Sequence, residues 1–315
     1  MKTFISAIMT GVLMVLCIKG SEGQTATQAE KLLRSMKSGD LNNALEIVQN
    51  IDSVNYMDKD GLSLLMRAIE AGYTKICGML IDKGANLDYQ RSDGTTALIM
   101  ACRFGHPNIV SYLLAKGANP DLQSMNGSTA LIWTSIIGRA NVVKILVDNG
   151  ANPDIQGQDG STALIWASLK GHSDIVNLLM DKGANSGLMR SDGATALIIA
   201  SQEGLTEVVK VLLDKGANPD QLGRNELSAL MRSSQLGNKE IVKILLEKGA
   251  NPDLQGKNGY TALMVASMNG NTDIVTELLN NNAKPDLKNA EGKTALDLAS
   301  NSDIMSLLAN IKKPE

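Results

Sequence analysis

The residue types that most often carry chemistry are sparse in this sequence. It has two histidines, His106 and His172, and three cysteines, Cys17, Cys77 and Cys102. None has the spacing of a metal-binding pair, and the motifs of serine hydrolases, zinc proteases and phosphate-binding loops are missing from the sequence. Both histidines directly follow a glycine, and we expect a structural role for them, with a role as ligand or base as the alternative. We therefore predict a protein that is not an enzyme and needs no cofactor or metal.

Aspartates recur at one place in a regular pattern. Asp121, Asp154, Asp220 and Asp253 are separated by 33 residues or by twice that number. Carboxylates could bind calcium, but a calcium site needs several oxygen ligands that converge on one ion. One carboxylate in every 33 residues does not converge, so we expect hydrogen bonding in turns instead.

The same spacing organises most of the chain. The stretch 157–189 recurs 33 residues upstream at 124–156 and 33 residues downstream at 190–222. A fixed period of this size indicates stacked supersecondary units. In order, repeats one to eight begin at Asp58, Arg91, Ser124, Gly157, Arg190, Gly223, Gly256 and Asn289.

One repeat shows what each unit must form. Gly160 lies in an Asp-Gly turn, where glycine adopts a positive φ without a steric clash. Thr162 precedes an apolar run and is predicted to cap a helix over residues 163–170. Gly171 ends that helix, and Gly183 closes a second helix as its C′ residue. The repeat is therefore predicted to be a helix–turn–helix unit followed by an extended loop.

The repeated pattern D-G-x-T-A-L-x-x-A, then G, then I-V-x-x-L-L-x-x-G-A-N-P-D, resembles the ankyrin repeat, with Ala in place of the usual Pro after Thr. The resemblance covers about residues 58 to 311. It implies an all-α ankyrin-repeat solenoid, whose helix–turn–helix units are joined by β-hairpin-like loops. The turn glycine recurs in register at Gly61, Gly94, Gly127, Gly160, Gly193, Gly259 and Gly292.

The domain organisation follows from the repeats. Residues 58–288 hold seven repeats of 33 residues, and residues 289–315 hold a shortened, more polar repeat and a tail, which resembles a C-terminal cap. Residues 24–57 carry a lead and two helical patterns without the turn signature. A polar, atypical segment of this kind suits an N-terminal cap, because the end repeat has no neighbour on its outer face.

Two repeats depart from the pattern. Glu226 stands where every other repeat has the turn glycine, so its hairpin is expected either to be strained or to change shape. Repeat four ends in Asn185-Ser186-Gly187 instead of Asn-Pro-Asp, and the chain between repeats four and five is expected to bend differently.

Composition narrows the class of protein further. Hydrophobic residues make up 43% of the chain and aromatic residues only 3%, so the core must consist mainly of aliphatic side chains. The net charge is −3 and no block of Lys and Arg occurs, which argues against nucleic-acid binding. Cys77 and Cys102 lie at helix positions held by Val or Ser elsewhere. We expect two buried thiols, with a disulfide as the open alternative.

The first residues have the layout of a secretory signal peptide. Lys2 is followed by a 15-residue apolar run, 4–18, and then by Ser21-Glu22-Gly23, with small residues at the −3 and −1 positions of a cleavage site. Residues 1–23 are therefore predicted to direct export to the periplasm or the exterior. The alternatives are an uncleaved membrane anchor and a lipid on Cys17, and only these would bring the protein into contact with the membrane.

The ankyrin resemblance places the hairpins and first helices along a concave groove. Variable positions of the first helices fall at spacings of three and four, so they share a face. Arg67 and Arg232 hold the tryptophan position in repeats one and six, so this stripe is expected to be apolar in the middle and cationic at both ends. The predicted contact residues are Arg67, Met100, Phe104, Trp133, Ile136, Ile137, Trp166, Leu169, Ile199 and Arg232.

These observations predict non-catalytic binding of another protein along the groove, with no small-molecule substrate. The alternative for the stripe is that its side chains pack between neighbouring helices. For the whole protein, the resemblance also allows a structural or protective accessory of a periplasmic enzyme, for example a redox enzyme, as is thought for some exported bacterial ankyrin proteins. An enzyme is the remaining alternative.

The signal-peptide hypothesis predicts where the mature protein begins. Cleavage after Gly23 would leave Gln24 as the first residue of protein purified from its native host. N-terminal mass spectrometry measures this directly. An intact Met1, or a lipid mass on Cys17, would contradict the prediction.

Overall fold

The computed structural model describes residues 27–310. The chain divides into two compact units, Met1–Met125 and Asn126–Glu315. The predicted signal peptide, its cleavage site and Cys17 lie outside the described residues, as do residues 311–315.

Unit one contains a helical cap and two repeats. The cap matches the two helical patterns of the sequence, and α2 packs on the second helix of repeat one. In the repeats, α3 packs on α5 and α4 on α6. The helices are α1 over residues 27–38, α2 Leu41–Asn50, α3 Leu64–Glu70, α4 Thr74–Asp82, α5 Ala97–Phe104 and α6 Pro107–Ala115.

Unit two contains repeats three to eight. Each of its first helices packs on the first helix of the next repeat, in the order α7, α9, α11, α13 and α15. The second helices pack on one another in the same way, in the order α8, α10, α12, α14 and α16. Repeat eight keeps only its second helix, α17. The helices are α7 Ala130–Ile137, α8 Ala140–Asp148, α9 Ala163–Leu169, α10 Ser173–Asp181, α11 Ala196–Gln202, α12 Thr206–Asp214, α13 Ala229–Leu236, α14 Lys239–Glu247, α15 Ala262–Met268, α16 Thr272–Asn280 and α17 Ser302–Ala309.

Capping residues set the ends of these helices as predicted. The Thr162 hydroxyl accepts a hydrogen bond from the Ile165 N–H at 3.2 Å, which satisfies one of the free donors in the first turn of α9. After α9 and α10, Gly171 and Gly183 have φ of 75° and 81°. The capping threonine and the two glycines, which are local features of the sequence, thus determine where these short helices begin and end.

The core is aliphatic and lies between successive helix pairs. In repeat four, Leu164 and Ile165 of α9 and Ile175, Val176 and Leu179 of α10 are almost completely buried. Burial of each such side chain stabilises the fold by about 1.5–3 kcal/mol. Because a single repeat is too thin to cover these faces, each repeat needs its neighbours.

Three kinds of polar bond join successive repeats, as the junction of repeats three and four shows. The Asn185 N–H donates to the Asp154 carboxylate at 2.8 Å. The Gln156 side-chain amide donates to the carbonyls of Gly160 and Met189 at 2.7 and 3.0 Å. His172 Nε2 lies 3.3 Å from the Ile136 carbonyl. The recurring aspartates therefore act as hydrogen-bond acceptors between neighbouring loops.

All three of these bonds are lost at the junction of repeats four and five. Gly187 replaces the aspartate, Met189 replaces the glutamine, and Leu205 replaces the histidine. A substitute bond from the Gln221 amide to the Gly187 carbonyl, at 2.9 Å, remains. The start of the loop keeps its turn, because the Asn185 side chain still accepts from the Gly187 N–H at 2.9 Å, as the Asn152 side chain accepts from the Asp154 N–H; the change of bend stays a prediction. The departure removes a bond and keeps this turn.

The hairpin of repeat six keeps the shape of its neighbours and is strained. Glu226 has a φ of 56°, whereas the turn glycines Gly193 and Gly259 have 85° and 75°. A side chain in this region clashes with its own backbone. The Glu226 carbonyl nevertheless accepts from the Lys257 N–H at 3.2 Å, which ties this hairpin to the next.

The two cysteines of unit one behave as buried apolar groups. Cys77 and Cys102 are buried and are not joined in a disulfide. Burial raises the pKa of the Cys77 thiol to about 12, so it stays protonated and unreactive at neutral pH.

Replacing Glu226 by Gly should stabilise the protein. The substitution relieves the strain of the positive φ, but glycine also stabilises the unfolded state through its larger conformational entropy. The net effect should be a gain of about 0.5–1 kcal/mol in the free energy of unfolding. Urea denaturation measures it. Glu226→Ala is the matched control, since it removes the carboxylate but keeps the strained Cβ, and it should give no such gain. An equal gain for both variants would contradict the strain account.

Replacing Gly187 by Asp should restore the missing bond between repeats four and five. The new carboxylate would accept from the Asn218 N–H, as Asp154 does from Asn185, and a net gain of about 0.5–1.5 kcal/mol is expected. Gly187→Ala is the control, because its Cβ meets the same neighbours, Asn185 and Gln221, at 3.2 and 3.3 Å. The difference between the two variants in urea denaturation isolates the bond, and no difference would show that the junction does not need it.

Candidate functional site

In unit two, α7 presents three large apolar side chains on one face. Trp133 and Ile136 are half-buried, and Ile137 is 42% exposed. Leu131 and Ile132, on the opposite side of the helix, are buried. The spacing of three and four residues thus aligns the exposed set away from the core.

The neighbouring helix α9 extends this surface. Trp166 and Leu169 are half-buried, and α9 packs directly beside α7. The exposed Lys170 places its Nζ 5.9 Å from the centre of the Trp166 ring, within the range of a cation–π contact. We call Trp133, Ile136, Ile137, Trp166 and Leu169 the apolar patch.

Two of the predicted contact residues offer almost no surface. Ile199 occupies the tryptophan position of repeat five and is 4% exposed, and Met100 holds it in repeat two and is 5% exposed. The branches of Ile199 end close to its backbone, and a flexible Met can fold into a gap between helices. At this position the longer Trp and Arg side chains keep some exposed surface, whereas Met100 and Ile199 belong to the core of their own units.

The histidines and Phe104 have structural contacts. A Cβ on Gly138 would lie only 2.7 Å from the His172 ring, and a Cβ on Gly72 would lie 3.3 Å from the His106 ring. Each ring therefore packs directly against a glycine of the preceding repeat. Phe104, in unit one, is 47% exposed and stacks on His106 with ring centroids 6.3 Å apart. The structural role predicted for both histidines is confirmed.

The expectation of a free cationic end at Arg67 is wrong. Its Nε and Nη2 donate to Asp58 and Asp60 at 2.6 Å each, and its Nη1 donates to Glu70 at 2.9 Å. Burial raises the pKa of Asp58, but hydrogen bonds from Leu62, Arg67 and Asp60 outweigh it and leave the pKa lowered. The guanidinium is therefore neutralised within its own repeat.

Sequence reasoning missed this cluster and the pocket beside it. The pocket has a volume of about 810 Å³ and is lined by charges of both signs, among them Glu30, Lys37, Asp60 and Arg67. The signal was available, because Asp58, Asp60 and Glu70 are the nearest acidic residues to Arg67 in the sequence. The pocket's charges balance, and they give no preference for one kind of ligand.

Residues 27–310 contain neither a cluster of metal-binding side chains nor a membrane-spanning helix. No group of three or more His, Cys, Asp or Glu side chains in this range is placed to hold a metal ion. No helix in this range has the length and apolar content needed to span a bilayer. The exposed first-helix surface of unit two is the candidate site that this range offers.

Comparison with known proteins agrees with the repeat architecture. The family model described as "Ankyrin repeats (3 copies)" matches residues 32–124, 116–190, 183–256 and 230–314. Among solved structures, the chain is similar to the ankyrin repeat domain of Bcl-3, a member of the IkappaB protein family, with a TM-score of 0.66 and 28% identity. That match covers 70% of this chain and 100% of the Bcl-3 domain. A search of curated proteins gave no match.

Ankyrin repeats are protein–protein interaction modules, and the all-α helix–turn–helix fold, the capped helices and the matched family model agree with one another. The expected fold class is confirmed, and the family indicates a non-enzymatic interaction module. The chain belongs to the ankyrin-repeat family.

Proposed function

We propose that the first-helix face of unit two binds a partner protein through the apolar patch. The observation that carries this proposal is the pair of partly exposed tryptophans, Trp133 and Trp166, on the neighbouring helices α7 and α9. Exposed apolar clusters mark interaction sites, and Trp is the residue type most enriched among residues that dominate binding energy. The core beneath them is formed by fully buried side chains such as Leu131, Ile132 and Leu164.

Rigidity of the surface supports binding without catalysis. Each first helix is fixed at its N-terminus by a side-chain cap, such as Thr129 on α7 and Thr162 on α9. A surface that is ordered before the partner arrives loses little conformational entropy on association. Little of the free energy of the intermolecular contacts is then offset by ordering of the surface.

We also propose that the protein acts after export, in the periplasm or outside the cell. The support is the sequence of residues 1–23, with its basic start, apolar run and small-residue cleavage site. The partner would then be an exported protein. A structural or protective accessory of one enzyme and a general scaffold both fit this proposal.

The proposed site predicts that replacing Trp133 and Trp166 weakens partner binding strongly but has a smaller effect on the stability of the fold. Each ring is half-buried in the unmutated protein. In the variant Trp133→Ala/Trp166→Ala, the loss of unfolding free energy per site should therefore be well below the loss of about 3–5 kcal/mol that is typical of a fully buried Trp. Affinity for the partner should fall by about 2 kcal/mol or more per anchor. Calorimetry with the partner recovered in stoichiometric amounts from the exported fraction, together with urea denaturation, measures both.

Val265→Ala is the matched control. Val265 holds the same repeat position in α15 and is buried, so this change should reduce stability and leave affinity intact. Unchanged affinity in the double tryptophan variant would move the binding site elsewhere, for example to the hairpin tips at Met125, Lys257 and Tyr260. A single stoichiometric partner would favour an accessory role, and many weak partners would favour a scaffold.

A further inference from the structure

Two arginines occupy the same position in different repeats and have opposite surroundings. Arg67 in repeat one is held by Asp58, Asp60 and Glu70, at 2.6, 2.6 and 2.9 Å. Arg232 in repeat six stands five repeats further along the chain, at the corresponding place on α13. Any difference between them must come from the side chains around the guanidinium.

Repeat six has replaced every one of those carboxylates by a neutral residue. The positions of Asp58, Asp60 and Glu70 are held there by Gly223, Asn225 and Gln235. Arg232 Nη1 donates to the Gln235 amide oxygen at 2.9 Å, and its Nε is buried without an acceptor. Within residues 27–310, no carboxylate lies within ion-pair distance of Arg232.

The nearest charged groups do not compensate for this loss. Glu203, on the adjacent α11, accepts from the Gln202 amide at 3.2 Å. The pKa of Arg190 is raised mainly by its hydrogen bond with Asp192, and the charge of Glu203 adds to that rise. Arg224 donates to the Ser191 carbonyl at 2.8 Å, and the Glu226 carboxylate is exposed at the hairpin tip.

A half-buried guanidinium with an unsatisfied donor is a strong receptor for an external carboxylate. Removal of charge from water is unfavourable unless the charge is paired. Charge-assisted hydrogen bonds from arginine to a carboxylate are about twice as strong as neutral ones. Of the three donors that repeat one satisfies with carboxylates, Nη1 of Arg232 is bonded to Gln235 and Nε is buried, so Nη2 is the donor that can meet an external carboxylate.

The apolar patch fixes where a second contact must lie. Trp166 is in repeat four and Arg232 in repeat six, so at helix-packing distances of 8–10 Å they are separated by about 16–20 Å. An extended polypeptide covers this distance in about five or six residues, at 3.3 Å each.

We propose that Arg232 is the anion-binding anchor of this surface, and that the partner is a polypeptide segment with an acidic side chain about five or six residues from a bulky apolar one. The acidic group binds Arg232 and the apolar group binds the apolar patch. This inference rests on the proposed function of the same surface and names the chemistry of its partner.

The test is selection from a display library of random peptides on the purified full chain, with synthetic peptides then measured by titration. We expect enrichment of Asp or Glu at a fixed offset from Trp, Phe or Leu. Changing that acid to its amide should weaken binding about tenfold or more. Arg232→Gln should cause the same loss, and the two changes together should cost no more than either alone.

A second variant keeps the arginine and supplies its missing counter-charges. Asn225→Asp/Gln235→Glu supplies the counterparts of Asp60 and Glu70, two of the three carboxylates around Arg67, so it should abolish the preference for acidic peptides while the chain stays folded. Arg224→Gln, which removes an exposed arginine of the same repeat, should leave the preference unchanged.

The possible failures are distinguishable. Peptides that bind the patch without any acid preference, or an acid preference that survives Arg232→Gln, would overturn the anchor proposal alone. Peptides whose binding is insensitive to Trp133→Ala/Trp166→Ala would overturn the proposed function of the surface.

Discussion

Stacking of each repeat on its neighbours is the interaction on which the rest of this structure depends. A helix pair such as α9 and α10 cannot bury both its apolar faces alone, so Leu164, Ile165 and Leu179 are closed off only by adjacent repeats. The stack leaves the outer face of the first helices uncovered. Residues there are free from the demands of the core, and this is where Trp133, Trp166 and Arg232 lie.

Polar bonds between repeats fix how neighbouring repeats align in this apolar stack. Their number differs from one junction to the next. The junction of repeats three and four has an aspartate, a glutamine and a histidine bond, and the junction of repeats four and five has none of these three kinds. The apolar patch lies on repeats three and four, whose junction has all three of these bonds. The strained Glu226 and the unpaired Arg232 share repeat six, where repeat-specific residues have replaced the common pattern.

Local signals in the sequence predicted the fold well because each acts within one repeat. The turn glycines, the Thr162 cap and the apolar spacing of the helices depend only on nearby residues. The site was less predictable, because exposure depends on side-chain length relative to the neighbouring helices, which is why Trp166 projects and Ile199 does not. The neutralisation of Arg67 was missed because the stripe was considered apart from the hairpin that supplies Asp58 and Asp60.

The central claim, that the first-helix face of unit two is a protein-binding surface, can be tested with the protein's own fluorescence. Trp133 and Trp166 are the only tryptophans in the chain, so every tryptophan signal reports on the apolar patch. Acrylamide quenching should be measurable in the free protein, because both side chains are partly exposed, and it should fall when the partner is bound. Equal quenching with and without saturating partner would contradict the account.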